Sequence, residues 1–495
     1  MVACAPVVST ITISFFAFLL MFVGIGMYSA RHKKTTTDDY LVASRSINPW
    51  FAALSAVATD NSGFMFIGLT GSCYLAGISG GWLMVGWIAG EWVAWRVVHQ
   101  RLREKTESQR INTIPGFLAH GLSRPRLVAG LAGLVTLAFL IVYTSAQFKA
   151  GSTALKEFDI NPTLGVVIGA AIVLMYCFSG GIRASIWTDV AQSVVMLASM
   201  LLLVTVAVWQ LGGIGSAYHK MVALDGYDTG GHVTGGFLDL FPSGLRFGFP
   251  LFLLGWVFAG LGMVGQPHIM IRAMVIDKAE NMPKARRIYL SWYIVFAACC
   301  VLVGMLARIY LPLELDSIVY SKAGAVMKLG QQELAFPRLA NELLIGVLVG
   351  LMLAGVFAAT ISTADSQVLS CSAALSTDMV PNLGQTYSGL KISTVLVTAA
   401  ALAMALFGGT VFDRVVFAWS ALAGALGPLM VVRASGWRIN TGQALAMMLG
   451  GLGSVLIWRF GLKWHGAIYD AMPGMLAGFA IYFAIAAAHH GQKEN

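Results

Sequence analysis

Charge is what this sequence has least of. Only 11% of its 495 residues are Asp, Glu, Lys or Arg, less than half of the roughly 25% usual in soluble domains. The 57% that are hydrophobic exceed what one soluble core absorbs, because such cores stop growing beyond about 250–300 residues. Soluble enzymes, nucleic-acid binders and disordered scaffolds are thereby excluded. Paired cysteines are missing too. Cys4, Cys73, Cys177, Cys299, Cys300 and Cys371 have no CxxC spacing and no histidine partners, so they read as small core hydrophobes. There is no HExxH motif and no glycine-rich phosphate loop with lysine, which argues against an enzyme. Histidines such as His99, His120 and His268 fall near helix ends, an interfacial pattern.

What the sequence does have is long apolar runs. Spanning helices need about 20 mostly apolar residues, and thirteen stretches qualify: 8–30, 49–73, 78–98, 127–148, 163–180, 187–211, 246–270, 288–312, 338–377, 390–410, 414–433, 441–461 and 471–488. The first run precedes its charges, Arg31-His32-Lys33-Lys34, which is the reverse of a signal peptide, so it reads as a true helix. The net charge of +9 sits in the loops. Segments on the side of the first loop hold 21 of the 32 Lys and Arg. That bias places the N-terminus outside and the C-terminus in the cytoplasm of a multi-pass cell (inner) membrane protein.

Two of these runs are poor helices. The second contains Ala58-Thr59-Asp60-Asn61-Ser62-Gly63, and the seventh contains Gly260-Leu261-Gly262 followed by Gly265-Gln266-Pro267-His268. Unwound backbone is tolerated at membrane depth only where it is buried in protein or lines a cavity. The breaks lie in the first and sixth helices of a ten-helix core. Such a pairing points to two inverted repeats with a binding site between them. The ninth run carries Ser362, Thr363, Asp365 and Ser366 at helical spacings from Ala359. This ladder of hard oxygen donors suits an alkali cation better than a transition metal. Back-bonding of each hydroxyl to its own helix is the alternative.

Four carboxylates, Asp60, Glu91, Asp189 and Asp365, fall inside predicted spans, where ionisable groups mark pathways or bundle interiors. Glu91, five residues before Arg96, reads as a snorkelling or loosely paired side chain. Asp189 either caps its helix or completes a cation site with Asp365 and Ser366; spacing does not choose.

The stretches Asp39-Tyr40-Leu41-Val42-Ala43-Ser44-Arg45-Ser46, Ser55-Ala56-Val57-Ala58-Thr59-Asp60-Asn61-Ser62-Gly63, Gly180-Gly181-Ile182-Arg183 with Trp187-Thr188-Asp189, Gly265-Gln266-Pro267-His268-Ile269, and Ser362-Thr363 resemble the sodium:solute symporters. The sodium/proline symporter branch is nearest, over roughly residues 35–435. The resemblance implies an all-α fold with a LeuT-like core of two inverted five-helix repeats. It implies a sodium site built from the carbonyls of Ala58, Asn61 and Ala359 and the hydroxyls of Ser362 and Thr363. It makes Asp60 a coupling carboxylate, and puts Asp189, Asp365 and Ser366 where some members hold a second sodium. A substrate pocket would then draw on Thr59, Ser62, Gly63, Phe64, Tyr143, Gln147, Ala259, Met263, Gln266 and Pro267. Ala259 and Met263 stand where the proline branch carries aromatic residues, and Phe64 stands for a tryptophan. Trp256, one turn from Ala259, would partly compensate, while Gln147 adds polarity suited to a substrate carboxylate and Lys149 either does the same or snorkels to the interface.

The expectation is a symporter in which sodium, the coupling ion rather than a prosthetic group, drives uptake of a small polar solute. An amino acid, proline-like, or an organic acid fits best. The expected units are an extra helix and loop at 1–48, repeats at 49–211 and 246–433, and two final helices with a short tail at 434–495. No nucleic acid and no obligate protein partner is expected; the bilayer, sodium and solute are. Two alternatives stay open. One is a nutrient sensor, for which only Gly491-Gln492-Lys493-Glu494-Asn495 follows the last run. The other is the same transporter coupled to protons through Asp60 and Asp365.

Overall fold

The computed structural model describes residues 10–29, 31, 34, 36–155, 161–228, 231–314, 327, 331–407 and 411–491. The apolar runs form helices because backbone groups at membrane depth must be satisfied within the segment. In chain order these are α1 (Thr10–Ser29), α2 (Pro49–Asp60), α3 (Thr70–Ala76), α4 (Trp82–Ala94), α5 (Pro125–Leu155), α6 (Pro162–Gln210) and α7 (Gly248–Leu261). They continue as α8 (Pro267–Met274), α9 (Met282–Tyr310), α10 (Gly346–Ala373), α11 (Tyr387–Ala405), α12 (Val411–Ser435), α13 (Thr441–Leu456) and α14 (Ala471–Gly491), joined by shorter helical pieces. A hairpin of β1 (Asp225–Tyr227) and β2 (Val233–Gly236) lies between α6 and α7. Its extension reaches α3's end, where Ile78 N donates to Phe237 O at 3.1 Å.

Among the described residues, 11 helical runs are long and apolar enough to cross a membrane, so hydropathy's count of thirteen is not reproduced. Two stretches account for the difference. The 49–73 run breaks at Asn61 and leaves α2 with 12 residues. The 163–180 run retains a shorter apolar helix over Thr163–Met175, ahead of a kink where Gly181 takes φ 59°. That left-handed turn needs glycine, since a Cβ there would stand 2.6 Å from the Tyr40 ring. The ninth run is also two helices, Ala335–Leu343 and α10, because Leu344 is extended at φ −114°, ψ 150°.

Small residues let helices meet closely, which replaces the hydrophobic drive that lipid does not supply. A Cβ on Gly90 of α4 or Gly260 of α7 would overlap the other helix's backbone. The five described cysteines are free and buried. The basic loops gather on one face. Ile47 N donates to Val275 O at 3.1 Å, Asp277 N donates to Ile47 O at 2.9 Å, and Arg103 Nε donates to Ile276 O at 2.6 Å. On the same face Arg183 Nη2 donates to Asp39 Oδ1 at 2.6 Å, joining two of the sequence motifs. Burial raises the Asp39 pKa, but the bonds from Arg183, Lys34 N and Ser44 outweigh it and hold that carboxyl below its usual range.

Candidate sodium and substrate site

The first break forms where helical hydrogen bonding stops. Asn48 caps α2 by accepting from Trp50 N, Pro49 starts the helix, and the chain leaves it at Asn61 (φ −83°, ψ 75°). The second break is built differently. Gly262–Gly265 tightens into a narrow turn, Gln266 is extended at φ −99°, ψ 97°, and Pro267 begins α8. Proline fits there because the first turn of a helix needs no N–H from it.

Against the first break lies the hydroxyl ladder of α10. Ser362 Oγ donates to Ala58 O at 3.0 Å and also meets Ala359 O at 3.1 Å. Thr363 Oγ1 donates to Thr59 O at 2.8 Å and meets Ala359 O at 3.0 Å. Each hydroxyl thus has a carbonyl of its own helix and one of α2 within reach of its single proton, so back-bonding and a bridge to α2 share it. Asn61 is buried beside them, its Nδ2 on Val57 O at 2.9 Å and its Oδ1 without a hydrogen-bond partner. All are hard oxygens, the donor type an alkali cation takes.

One turn further along α10 a second cluster gathers four elements. Asp189 of α6 accepts from Ser55 at 2.6 Å and pairs with Arg272 of α8 at 3.2 Å. Arg272 Nη2 also donates to Ser185 at 2.7 Å and to Ser366 at 2.5 Å. Ser185 bridges to Asp365 Oδ1 at 3.0 Å, as does Ser366. With both carboxyls ionised, the trio of Asp189, Asp365 and Arg272 carries one net negative charge. Asp189 Oδ1 and Asp365 Oδ2 are buried without hydrogen-bond partners. A cavity of about 10 Å³, bounded by Tyr40, Leu41, Arg272 and Ser366 among others, adjoins it with room for roughly one water.

The expected pocket residues divide. Thr59 turns toward the ion side, its Oγ1 3.1 Å from Ser366 Oγ. Gly63 N donates to Gln147 Oε1 at 3.1 Å, Phe64 N to Ser62 Oγ at 3.2 Å, and Tyr143 O–H reaches Ser62 Oγ at 3.5 Å. Gln266 Nε2 donates to Trp419 O at 3.0 Å, while Trp419 Nε1 donates to Ala259 O at 2.8 Å. Ala259, Met263 and Pro267 are buried. Trp419 of α12 thus stands against the backbone of Ala259. Trp256 instead stacks on Tyr469 at 4.9 Å. Gly63 is closely pressed: a Cβ would come 2.7 Å from Thr360 Cγ2 and 2.9 Å from Ala150 Cβ. Gly63→Ala is expected to cut uptake at least tenfold with little loss of protein in the membrane, measured as solute flux per molecule.

Three readings from sequence need correction. Glu91 does not snorkel: it is fully buried, accepts from Trp87 Nε1 at 2.8 Å, and meets the Tyr289 hydroxyl at 2.8 Å. Arg96 lies instead over the Trp92 ring. His99 and His268 are buried rather than interfacial, the latter edge-on to Tyr143 with ring centroids 5.7 Å apart. The residues that the structure brings to the site and the sequence leaves unmarked are Arg272, Ser185, Ser55, Tyr289 and Trp419. Only Arg272 carries a signal in the sequence, a cation five residues after the Pro267 break.

A chain whose two broken helices face a hydroxyl ladder and a buried charge cluster has the architecture of a secondary transporter. The model of the sodium:solute symporter family matches residues 40–451. The chain is 30% identical to the sodium/proline symporter of Escherichia coli (strain K12) over 492 residues, covering 97% of this chain and 92% of that one. It is 29% identical to the high-affinity proline transporter PutP of Bacillus subtilis (strain 168), covering 92% and 94%. Among solved structures, a Na+-coupled sialic acid symporter in a substrate-bound outward-open state superposes with a TM-score of 0.74. The identity there is 18%, and 95% of this chain and 96% of that one are covered. MhsT in complex with L-phenylalanine superposes at 0.54 with 16% identity, covering 88% and 97%. This chain belongs to the sodium:solute symporter family, a multi-pass membrane protein with the LeuT-like inverted-repeat fold and sodium as its coupling ion.

Proposed function

We propose that this protein uses inward sodium flux to take up a small amino acid of the proline type. The observation that carries the reading is the seating of Ser362 and Thr363 on the carbonyls of Ala58 and Thr59, which unites ladder and break. Sodium there would be held by the carbonyls of Ala58, Asn61 and Ala359 and by both hydroxyls. The ion then favours the arrangement in which α10 and the first break touch, and coupling follows because it binds that state better than the other. The two relatives, a sodium/proline symporter and a proline transporter, support the solute class. So do Ser62, Tyr143 and Gln147 grouped at the break. The unpartnered oxygens of Asp189 and Asp365 offer a second cation a seat beside Arg272, with Ser366 as neighbour.

The two repeats take residues 49–211 and 246–433, flanked by 1–48 and 434–495. The N-terminus lies outside and the basic loops lie in the cytoplasm, following the excess of Lys and Arg. The reading involves no chemical conversion of the solute. It is tested by uptake of labelled L-proline into proteoliposomes under a sodium gradient, with unlabelled amino and organic acids as competitors. Accumulation that a sodium gradient drives and a potassium gradient does not is expected. Labelled L-proline that fails to accumulate, or that accumulates equally under a potassium gradient, would overturn it.

A second coupling ion, the proton, is favoured by one geometry. The Tyr289 hydroxyl lies 3.0 Å from Asp60 Oδ2 and 2.8 Å from Glu91 Oε2. A phenol has one O–H to give, so both contacts are hydrogen bonds only when one carboxyl carries a further proton. Glu91→Gln keeps a donor toward Tyr289 but cannot release a proton. The variant is expected to flatten the dependence of uptake on external pH while leaving its sodium dependence in place. Parallel pH profiles for the variant and the parent would exclude the proton reading.

A further inference from the structure

The start of α9 reads Met282-Pro283-Lys284-Ala285-Arg286-Arg287. Lys284, Arg287, Ser291 and Val295 follow at helical spacing on one exposed strip, while Ala285, Tyr289, Trp292 and Phe296 are buried behind it. Across from the strip stand Trp50 and Leu54 of α2 and Leu197 of α6. These elements enclose a groove of about 600 Å³. Its head is cationic and its floor is apolar. Among the described residues no ion pair involves Lys284 or Arg287. The loop leading into α9 is the one held by Ile47 and Arg103, so the head of the groove lies on the basic face. The rise from Lys284 to Val295 is roughly 16 Å at 1.5 Å per residue. That is about half of a hydrocarbon core of about 30 Å, the depth of one leaflet.

We propose that this groove is a binding site for one anionic glycerophospholipid of the leaflet on the basic-loop side. The phosphate sits between Lys284 and Arg287, and an acyl chain lies along Leu54, Leu197 and Val295. Charge complementarity selects the occupant: two cations that form no ion pair among the described residues attract an anionic headgroup and gain much less from a zwitterionic one. Tryptophan suits the groove's rim, since Trp50 is 51% exposed where its ring meets the headgroup level. Bound lipid would bear on transport through α2. Leu54 in the groove precedes Ser55, which bonds Asp189 at 2.6 Å, and the same half-helix ends at the first break.

The test is native mass spectrometry of the full-length protein, purified from bilayers containing phosphatidylglycerol and phosphatidylethanolamine, with retained lipid counted and titrated. The parent protein is expected to retain one phosphatidylglycerol. Lys284→Gln/Arg287→Gln should bind it about thirtyfold more weakly, the loss of two basic contacts with an anionic headgroup. Lys278→Gln/Arg286→Gln removes the same charge from outside the groove and should retain the lipid. Leu197→Trp fills the floor, keeps both cations and should expel it. Together these variants keep the proposal testable where one of them fails to fold. Equal retention by the groove variants and the parent would overturn it, as would equal loss in both charge-removing variants. Equal binding of phosphatidylethanolamine, or a second protein chain in place of lipid, would do so as well.

Discussion

Uptake by the Ser362→Ala/Thr363→Ala variant is expected to lose its response to sodium. The two hydroxyls supply two of the five oxygens in the assigned site, and they also hold the carbonyls of Ala58 and Thr59 at 3.0 and 2.8 Å. Removing both leaves buried carbonyls at the break without those donors, and deprives a cation of two ligands. An oxygen ligand to a charged group is worth about 1 kcal/mol or more, so the loss of two corresponds to at least about thirtyfold in sodium affinity. Sodium titration of L-proline uptake checks this directly. Ser376→Ala is the comparison, because among the described residues the Ser376 hydroxyl bonds back along its own helical run, to Ser372 O at 2.6 Å and Ala373 O at 3.5 Å. Its sodium titration should match the parent's.

The second large effect is expected at Arg272. Its guanidinium contacts Ser185, Asp189 and Ser366 at once and is 1% exposed. Arg272→Gln leaves Asp189 and Asp365 buried together without a cation, and breaking a buried pair from one side costs about 3–5 kcal/mol. The thermal unfolding midpoint in detergent should fall sharply. Arg272→Lys should not restore it, since a single ammonium on a flexible stem does not reproduce the planar fork. Arg272→Gln/Asp189→Asn should recover much of the loss, because it removes the orphaned charge as well. A single variant as stable as the parent would show that the cluster is not the electrostatic keystone described here.

Much of this was legible in the chain before any coordinates. The two breaks were visible because polar and glycine-proline runs at Ala58–Gly63 and Gly262–His268 have no other reason to interrupt lipid-depth helices. The ladder at Ser362, Thr363, Asp365 and Ser366 was visible through helical spacing alone. Spacing does not reveal a partner on a different helix. Ser55, Ser185 and Tyr289 are ordinary residues in apolar stretches, and become meaningful only when the fold sets them beside Asp189, Asp365 and Asp60. Arg272 was hidden for the opposite reason: a cation near a helix end reads as a topological signal, yet α8 turns it inward. Glu91 shows the same trap with the sign reversed. The count of spans departs from the eleven long apolar helices among the described residues where backbone geometry interrupts a hydropathic run, at Asn61 and at the Gly181 kink.

The central claim is that sodium binding at the α10 ladder and first break drives solute movement. The most direct test is charge displacement by proteoliposomes adsorbed on a sensor electrode, with L-proline and a panel of amino and organic acids added in sodium or in potassium. A solute-induced current in sodium, absent in potassium and absent from the Ser362→Ala/Thr363→Ala variant, is the predicted result. A current of equal size in potassium, or one that the double variant retains at unchanged sodium concentration dependence, would contradict it.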